Sequence, residues 1–173
     1  MGEPKPEATR AGARDFGALV REHQGMVFSL AYHFFQERGT AEELAQDVFL
    51  ELYRHLGELQ SEEHVAHWLR RVTVNRCISE ARRRQRRPEV PLEEMWEPAA
   101  PQADCDPLLA ERLRRLVASL PEKARLAVIL RYQEELEAEE IARILGEPVN
   151  TVKSQLQRAL AMLRQKAASL VEK

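Results

Sequence analysis

The chain has little cysteine, little glycine and no long apolar run, and each shortage removes a class of protein. Only two cysteines occur in 173 residues, Cys77 and Cys105, and they form no C-x-x-C pair. A disulfide framework and a cysteine-rich zinc site are excluded, and a reducing cytoplasm is the default setting. No stretch approaches the roughly 18 uncharged apolar residues of a membrane span. The N-terminal MGEPKPEATRAGARDF has no apolar h-region, so no secretory signal is expected. Alternation of period two never becomes convincing, so no sheet is expected. A P-loop, G-x-G-x-x-G and G-x-S-x-G are all missing. His64 and His67 could share a helical face, but H-E-x-x-H and a third ligand are absent. No metal, no cofactor and no enzymatic activity are therefore expected. An excess of one charge is lacking too. The 26 Lys+Arg against 28 Asp+Glu leave a net charge of −2, which rules out a uniformly basic nucleic-acid coat but not local segregation.

What is present is helical period. Hydrophobic residues make up 44% and charged residues 31%, enough for a packed core. Of nine prolines, five lie within residues 88–107, a stretch without Lys or Arg. It reads as an extended acidic linker. The fold class expected is all-α: a flexible tail over 1–13, one small helical domain over 14–87, the linker over 88–107 and a second small helical domain over 108–170.

In the first domain, Phe16, Leu19, Val20, His23, Val27, Leu30, Ala31 and Phe34 follow helical spacing and define one apolar stripe. Thr40 and Glu43 form a T-x-x-E capping box that predicts the start of a second helix, burying Leu44, Val48, Leu52 and Leu56. Phe49 and Tyr53 flank that stripe beside Glu43, Gln46 and Asp47. An exposed aromatic edged by acids reads as a protein-binding face; a wide core face would look the same. A polar loop over 57–64 leads to a third helix with Val65, Trp68, Leu69 and Val72 inward, stopped by Pro88. Cys77 lies near Arg70, Arg71 and Arg76 in sequence, which leaves open either a lowered thiol pKa or a half-buried spectator.

Charge is segregated. Residues 70–87 hold eight arginines and one acid, Glu80, whereas residues 88–111 hold seven acids and no base. Arginines 82–84 and 86–87 at a helix end would track a phosphate backbone. A solvated helix C-terminus also favours cations through its dipole.

In the second domain, Asp106 and Pro107 predict a helix start, with Leu109, Leu113, Leu116, Val117 and Leu120 inward. The next helix carries Ala124, Val128, Ile129 and Tyr132. Residues 137–165 then give the strongest local pattern: a short helix ending at Gly146, a turn with Pro148, and a final helix capped by Asn150 or Thr151. This is the helix-turn-helix pattern. Ile141, Ala142, Leu145, Val152 and Leu156 would fix the angle. Lys153, Ser154, Gln157 and Arg158, with Gln155 at the edge, form an outer face of residue types that reach phosphates and base edges. Any surface helix carries such residues, but here the turn and both caps coincide with them.

These parts together resemble a bacterial RNA polymerase sigma factor of the extracytoplasmic-function group. Residues 40–49, TAEELAQDVF, resemble the second helix of sigma domain 2, and residues 67–75, HWLRRVTVN, its tryptophan-bearing stretch. Leu120-Pro121-Glu122, Glu139-Glu140-Ile141-Ala142 and Thr151-Val152-Lys153-Ser154 resemble the LPE, EEIA and TVKS segments of sigma domain 4. The resemblance implies a chain that binds core RNA polymerase and promoter DNA, selects promoters and assists melting. Core polymerase would dock on Glu43, Gln46, Asp47, Phe49 and Tyr53. Leu59, Gln60, Ser61, Arg71, Asn75, Arg76, Arg82 and Arg83 would engage the minus-ten element. Asn150, Thr151, Lys153, Ser154, Gln155, Gln157 and Arg158 would read the minus-thirty-five element. A cytoplasmic, nucleoid-associated protein without membrane insertion is expected. The short C-terminal end adds the expectation of a separate anti-sigma factor. Two departures carry consequences. The loop over 57–64 bears Glu62 and Glu63, which repel phosphate, and Gln155 stands where arginine is usual, predicting a weaker or A·T-shifted contact.

Overall fold

The structure is a computed structural model that describes residues 15–59, 61–86 and 107–171. The expected tail, the linker as far as residue 106 and the candidate Gln60 lie outside the described residues. Seven helices and no strand occur among those described: α1 Phe16–Phe35, α2 Arg38–His55, α3 Glu62–Arg86, α4 Pro107–Ala118, α5 Glu122–Tyr132, α6 Ala138–Leu145 and α7 Val149–Val171.

The α1 stripe forms as its spacing dictates. Leu19, His23, Val27, Leu30, Ala31 and Phe34 are all buried and face α2 and α3. Asp15 caps the helix, accepting from the Gly17 N–H at 2.9 Å. Gln36, in the left-handed region with φ 61°, ends it and returns its N–H to the Tyr32 carbonyl.

The start of α2 differs from the capping-box expectation. It begins at Arg38 rather than after Thr40, with extended Glu37 before it. Thr40 Oγ1 donates to Glu37 Oε2 at 2.6 Å. Arg84 of α3 grips the same carboxylate with two bonds of 2.7 and 2.8 Å. A long-range ion pair therefore sets this helix end. The loop before α3 is also shorter than expected. Ser61 Oγ accepts from the His64 N–H at 3.1 Å, so Glu62 and Glu63 occupy the first helical turn. Carboxylates there are favoured by the helix dipole.

The α7 start differs as well. Val149 is its first residue, and the Pro148 carbonyl accepts from the N–H groups of Thr151 and Val152. Asn150 and Thr151 are in the first turn, not capping it. Leu109 and Leu113, expected inward, are 58% and 55% exposed, as is Tyr132 at 58%. α4 reaches the core near its C-terminal end, at Val117, and Leu120 in the following turn is buried beside it.

The two helical groups do not sit apart. One apolar cluster runs from Leu19 and Leu69 through Leu126, Leu130 and Ile141, because α1 packs on α4 and α5 and α3 packs on α6. Arg125 of α5 pins the seam. It donates to the Phe34 carbonyl at 2.9 Å, to the Leu120 carbonyl at 3.1 Å and to the Ala118 carbonyl. Its guanidinium also lies over the Phe34 ring, 5.0 Å from the centroid. The carbonyls of Phe34 and Ala118 end α1 and α4, where helix dipoles favour a cation.

Candidate functional site

Three surfaces collect the candidate residues. On α3, Arg71, Asn75 and Arg82 are exposed. Their spacing of four and seven places them on one stripe, about 17 Å long at the helical rise. Arg86, also exposed, extends it by one turn. Arg87 lies outside the described residues, and Arg70, Arg76, Arg83 and Arg84 have carboxylate partners within the chain. Arg76 reaches Glu51 of α2 with Nη2 at 2.6 Å. Arg83 holds Glu80 at 2.7 and 2.8 Å, which with Arg84 keeps the Glu80 carboxyl below the usual carboxylate range. Arg84 holds Glu37 and lies over the Phe35 ring, and Arg70 holds Glu134. The basic run is thus half structural. A charge count along the sequence could not separate the paired arginines from the solvent-facing ones.

Leu59 is buried, whereas Ser61 is exposed and occupied in capping α3. Cys77 is fully buried, and burial pushes its thiol up to about 12, the opposite of an activated thiolate.

The second surface lies between α1 and α2. A groove of about 750 Å³ is lined by Phe16, Val20, Phe28, Ala45, Phe49 and Leu50, with Glu42 and Gln46 on its rim. Glu43, Gln46 and Asp47 are exposed. Tyr53 is 64% exposed and stands edge-on to Phe16, centroids 5.3 Å apart. Phe49, which the sequence left open as an exposed aromatic or part of a wide core face, is 9% exposed and belongs to the core face. It forms the floor of the groove because its position follows Ala45 and precedes Leu52 on the inward side. Leu50, 57% exposed, was missed. It lies beside the stripe, and only the exposed neighbours of Phe49 could have pointed to it.

The third surface is the helix-turn-helix. Ile141, Ile144 and Val152 are buried and lock α6 against α7. Gly146 takes the left-handed region at φ 65°, and the Glu147 N–H bonds back to the Ala142 carbonyl at 3.0 Å. Only a residue without Cβ adopts that conformation freely. Asn150, Thr151, Lys153, Gln157 and Arg158 are exposed along α7, and Ser154 is half-buried, donating to the Asn150 carbonyl at 2.9 Å. Lys153 Nζ pairs with Glu139 of α6 at 3.1 Å, and a backbone hydrogen bond, reinforced by that pair, keeps the Glu139 carboxyl below its ordinary range. Gln155 is half-buried and bonded to Glu147.

Comparison with known proteins matches the chain to two family models. Residues 19–87 match sigma-70 region 2, and residues 110–163 match sigma-70 region 4. The chain is 31% identical over 148 residues to the ECF RNA polymerase sigma factor SigM of Mycobacterium tuberculosis, covering 86% of this chain and 74% of that one. It is 30% identical over 171 residues to the ECF RNA polymerase sigma-E factor of Escherichia coli, covering 91% and 89%. The fold is similar to that of the sigma factor RpoE of Bartonella quintana, solved with the anti-sigma factor NepR, with a TM-score of 0.72 at 22% identity over 88% of this chain and 96% of that one. No described helix is long and apolar enough to cross a membrane. With both sigma regions matched in order and relatives aligned over most of its length, the chain belongs to the extracytoplasmic-function sigma factors, the initiation factors that direct RNA polymerase to promoters.

Proposed function

We propose that the three surfaces divide the work of promoter selection between them. The groove between α1 and α2, with Leu50, Tyr53 and the acids Glu43 and Asp47, binds core RNA polymerase. Its apolar floor and acidic rim suit an amphipathic helix with basic flanks. The α3 stripe of Arg71, Asn75, Arg82 and Arg86 follows the minus-ten element. There a side-chain amide can hold an extruded base while the arginines track phosphate. Asn150, Thr151, Lys153, Ser154, Gln157 and Arg158 of α7 read the minus-thirty-five element in the major groove.

The observation that carries this reading is the pairing of a locked helix-turn-helix with a second cationic stripe on a different helix. A single helix-turn-helix offers few phosphate contacts. Two modules held on one chain raise each other's effective concentration on DNA. The 20 residues of the expected linker reach at most about 65 Å when extended, enough to let the modules separate. Trapping an unstacked base supplies a few kcal/mol toward melting. An anti-sigma factor is the partner we propose for control, supported by the likeness of the fold to a sigma factor solved with one. The setting we propose is cytoplasmic and, with polymerase, nucleoid-associated.

Run-off transcription with core polymerase and a randomised promoter library tests the whole reading. Enrichment of paired minus-ten and minus-thirty-five elements is expected. Templates transcribed without any enriched element would refute it.

A further inference from the structure

One acid in the helix-turn-helix has no part in the reading above. Glu147 lies in the turn between α6 and α7, with its side chain only 11% exposed. Its Oε1 accepts from Lys123 Nζ of α5 at 2.5 Å. Its Oε2 accepts from Gln155 Nε2 of α7 at 2.7 Å. Because a carboxylate only accepts, it fixes which end of the Gln155 amide faces it. The other end, Gln155 Oε1, is buried and has no hydrogen-bond partner among the described residues. A buried acceptor left unpaired is unfavourable, so the charge-assisted bond to Glu147 holds the amide in place against that penalty. Meanwhile Asn150, Thr151, Lys153, Gln157 and Arg158 of the same helix stand exposed.

We propose that Glu147 is a specificity-determining positioning residue, which withdraws Gln155 from the DNA-reading face of α7 and so removes one base pair from the upstream readout. This rests on α7 being the reader of the minus-thirty-five element. A glutamine free on a recognition helix pairs bidentately with adenine through N6 and N7. This chain carries that glutamine but holds its Nε2 on Glu147 and leaves its Oε1 buried. Glu147 therefore narrows what α7 reads, without touching DNA.

The experiment is promoter selection by holoenzyme, full chain plus core polymerase, from a library randomised across the upstream element. Four proteins are compared: the unmutated chain, Gln155→Ala, Glu147→Ala and the double variant. Gln155→Ala is expected to keep every base preference of the unmutated chain. Glu147→Ala is expected to gain a preference for adenine of about tenfold at one position, and the double variant to lose that gain. A purely structural role for Glu147 would move stability and overall yield, not the preference at one base pair.

Relaxed preference at a base pair in Gln155→Ala would overturn the proposal, as would Glu147→Ala selecting the unmutated pattern. The Gln155→Ala arm decides by itself if Glu147→Ala folds poorly, since it leaves the Lys123 bond intact. An unmutated chain with no upstream preference at all overturns the reading of α7 and the proposal with it. That outcome is distinguishable because it appears in the first of the four selections.

Discussion

Arg70 on α3 and Glu134 in the loop between α5 and α6 meet at 2.9 Å across the seam between the two helical groups. Glu134 is 9% exposed and Arg70 24% exposed in their side chains. Removing one partner of a pair so nearly buried leaves the other charge without compensation. Glu134→Ala is expected to lower unfolding stability by about 1–3 kcal/mol. Arg70→Ala with Glu134→Ala should cost less than the sum of the single changes. Urea denaturation of the four proteins measures the coupling, and strict additivity would show that the pair contributes nothing to the seam.

Acid is expected to loosen the same seam. His33 of α1 and His67 of α3 are both held below the ordinary 6.5 by burial, reinforced by arginines of the opposite group, Arg114 for His33 and Arg143 for His67. Arg70, Arg71 and His64 also face His67, while Glu111 pairs with Arg114 beside His33. A histidine depressed in the packed state takes up its proton more readily when the seam opens. Its contribution to packing is therefore full well above pH 6.5 and declines as the pH falls through that value. The depressed carboxyls of Glu80 and Glu139 act in a separate window, below their ordinary 4.5. Urea midpoints should fall between pH 7.5 and pH 5.5, and His33→Gln with His67→Gln should flatten that slope. An equal slope in the double variant would assign the effect elsewhere.

The elements legible in the sequence are those fixed by local rules. The α1 stripe follows a period of 3.6, and Leu19, Val27, Leu30 and Phe34 are buried as spaced. Gly146 at the end of α6 is where a left-handed residue is needed. What sequence spacing misses is set by partners far along the chain. Glu37 stands just before α2, held by Arg84, 47 positions later. Arg76 is paired with Glu51, 25 positions earlier, a contact that no local spacing announces. Phe49 turns inward, leaving the exposed apolar role to Leu50 and Tyr53, because the floor between α1 and α2 has room for an aromatic ring. The packing of the two helical groups through Arg125 has no local signature at all.

The α1–α2 groove makes a prediction about association with polymerase. Leu50 is exposed at its edge while Phe49 is buried beneath. Leu50→Asp places a charge on the apolar rim without disturbing the core, so the fold should melt as before. Asp47→Arg reverses the sign of an exposed rim residue. Both are expected to weaken core binding by about tenfold or more, within the usual range of a central interface residue. Native-gel comigration with core polymerase is the measurement, and unmutated levels of complex would move the docking face elsewhere.

Asn75 lies on the exposed α3 stripe between Arg71 and Arg82. A neutral amide adds little to electrostatic affinity but offers both donor and acceptor to an extruded base edge. Asn75→Ala should therefore impair open-complex formation more than closed binding. Arg71→Ala and Arg82→Ala should weaken both together. Permanganate reactivity of unpaired thymines, read beside filter binding, separates the two effects; reactivity at the unmutated level in Asn75→Ala would remove the base contact.

Lys153 and Arg158 are exposed on α7, but they differ in what they leave behind. Lys153 pairs with Glu139 at 3.1 Å, so on the proposed reading of α7 a duplex must displace that carboxylate before the ammonium reaches phosphate. The net gain from Lys153 is reduced accordingly, and the freed Glu139 stays close to the duplex. For Arg158 no such carboxylate partner stands in the way among the described residues. Each removed phosphate contact should reduce the salt slope of binding by about 1. Arg158→Ala is therefore expected to weaken upstream binding more than Lys153→Ala. Glu139→Gln, which frees Lys153 and removes a repulsive charge, should strengthen it. Footprint titrations of holoenzyme at several salt concentrations give the slopes. Equal losses for the two cations, with no gain from Glu139→Gln, would mean that the Lys153–Glu139 pair has no influence on how α7 meets DNA.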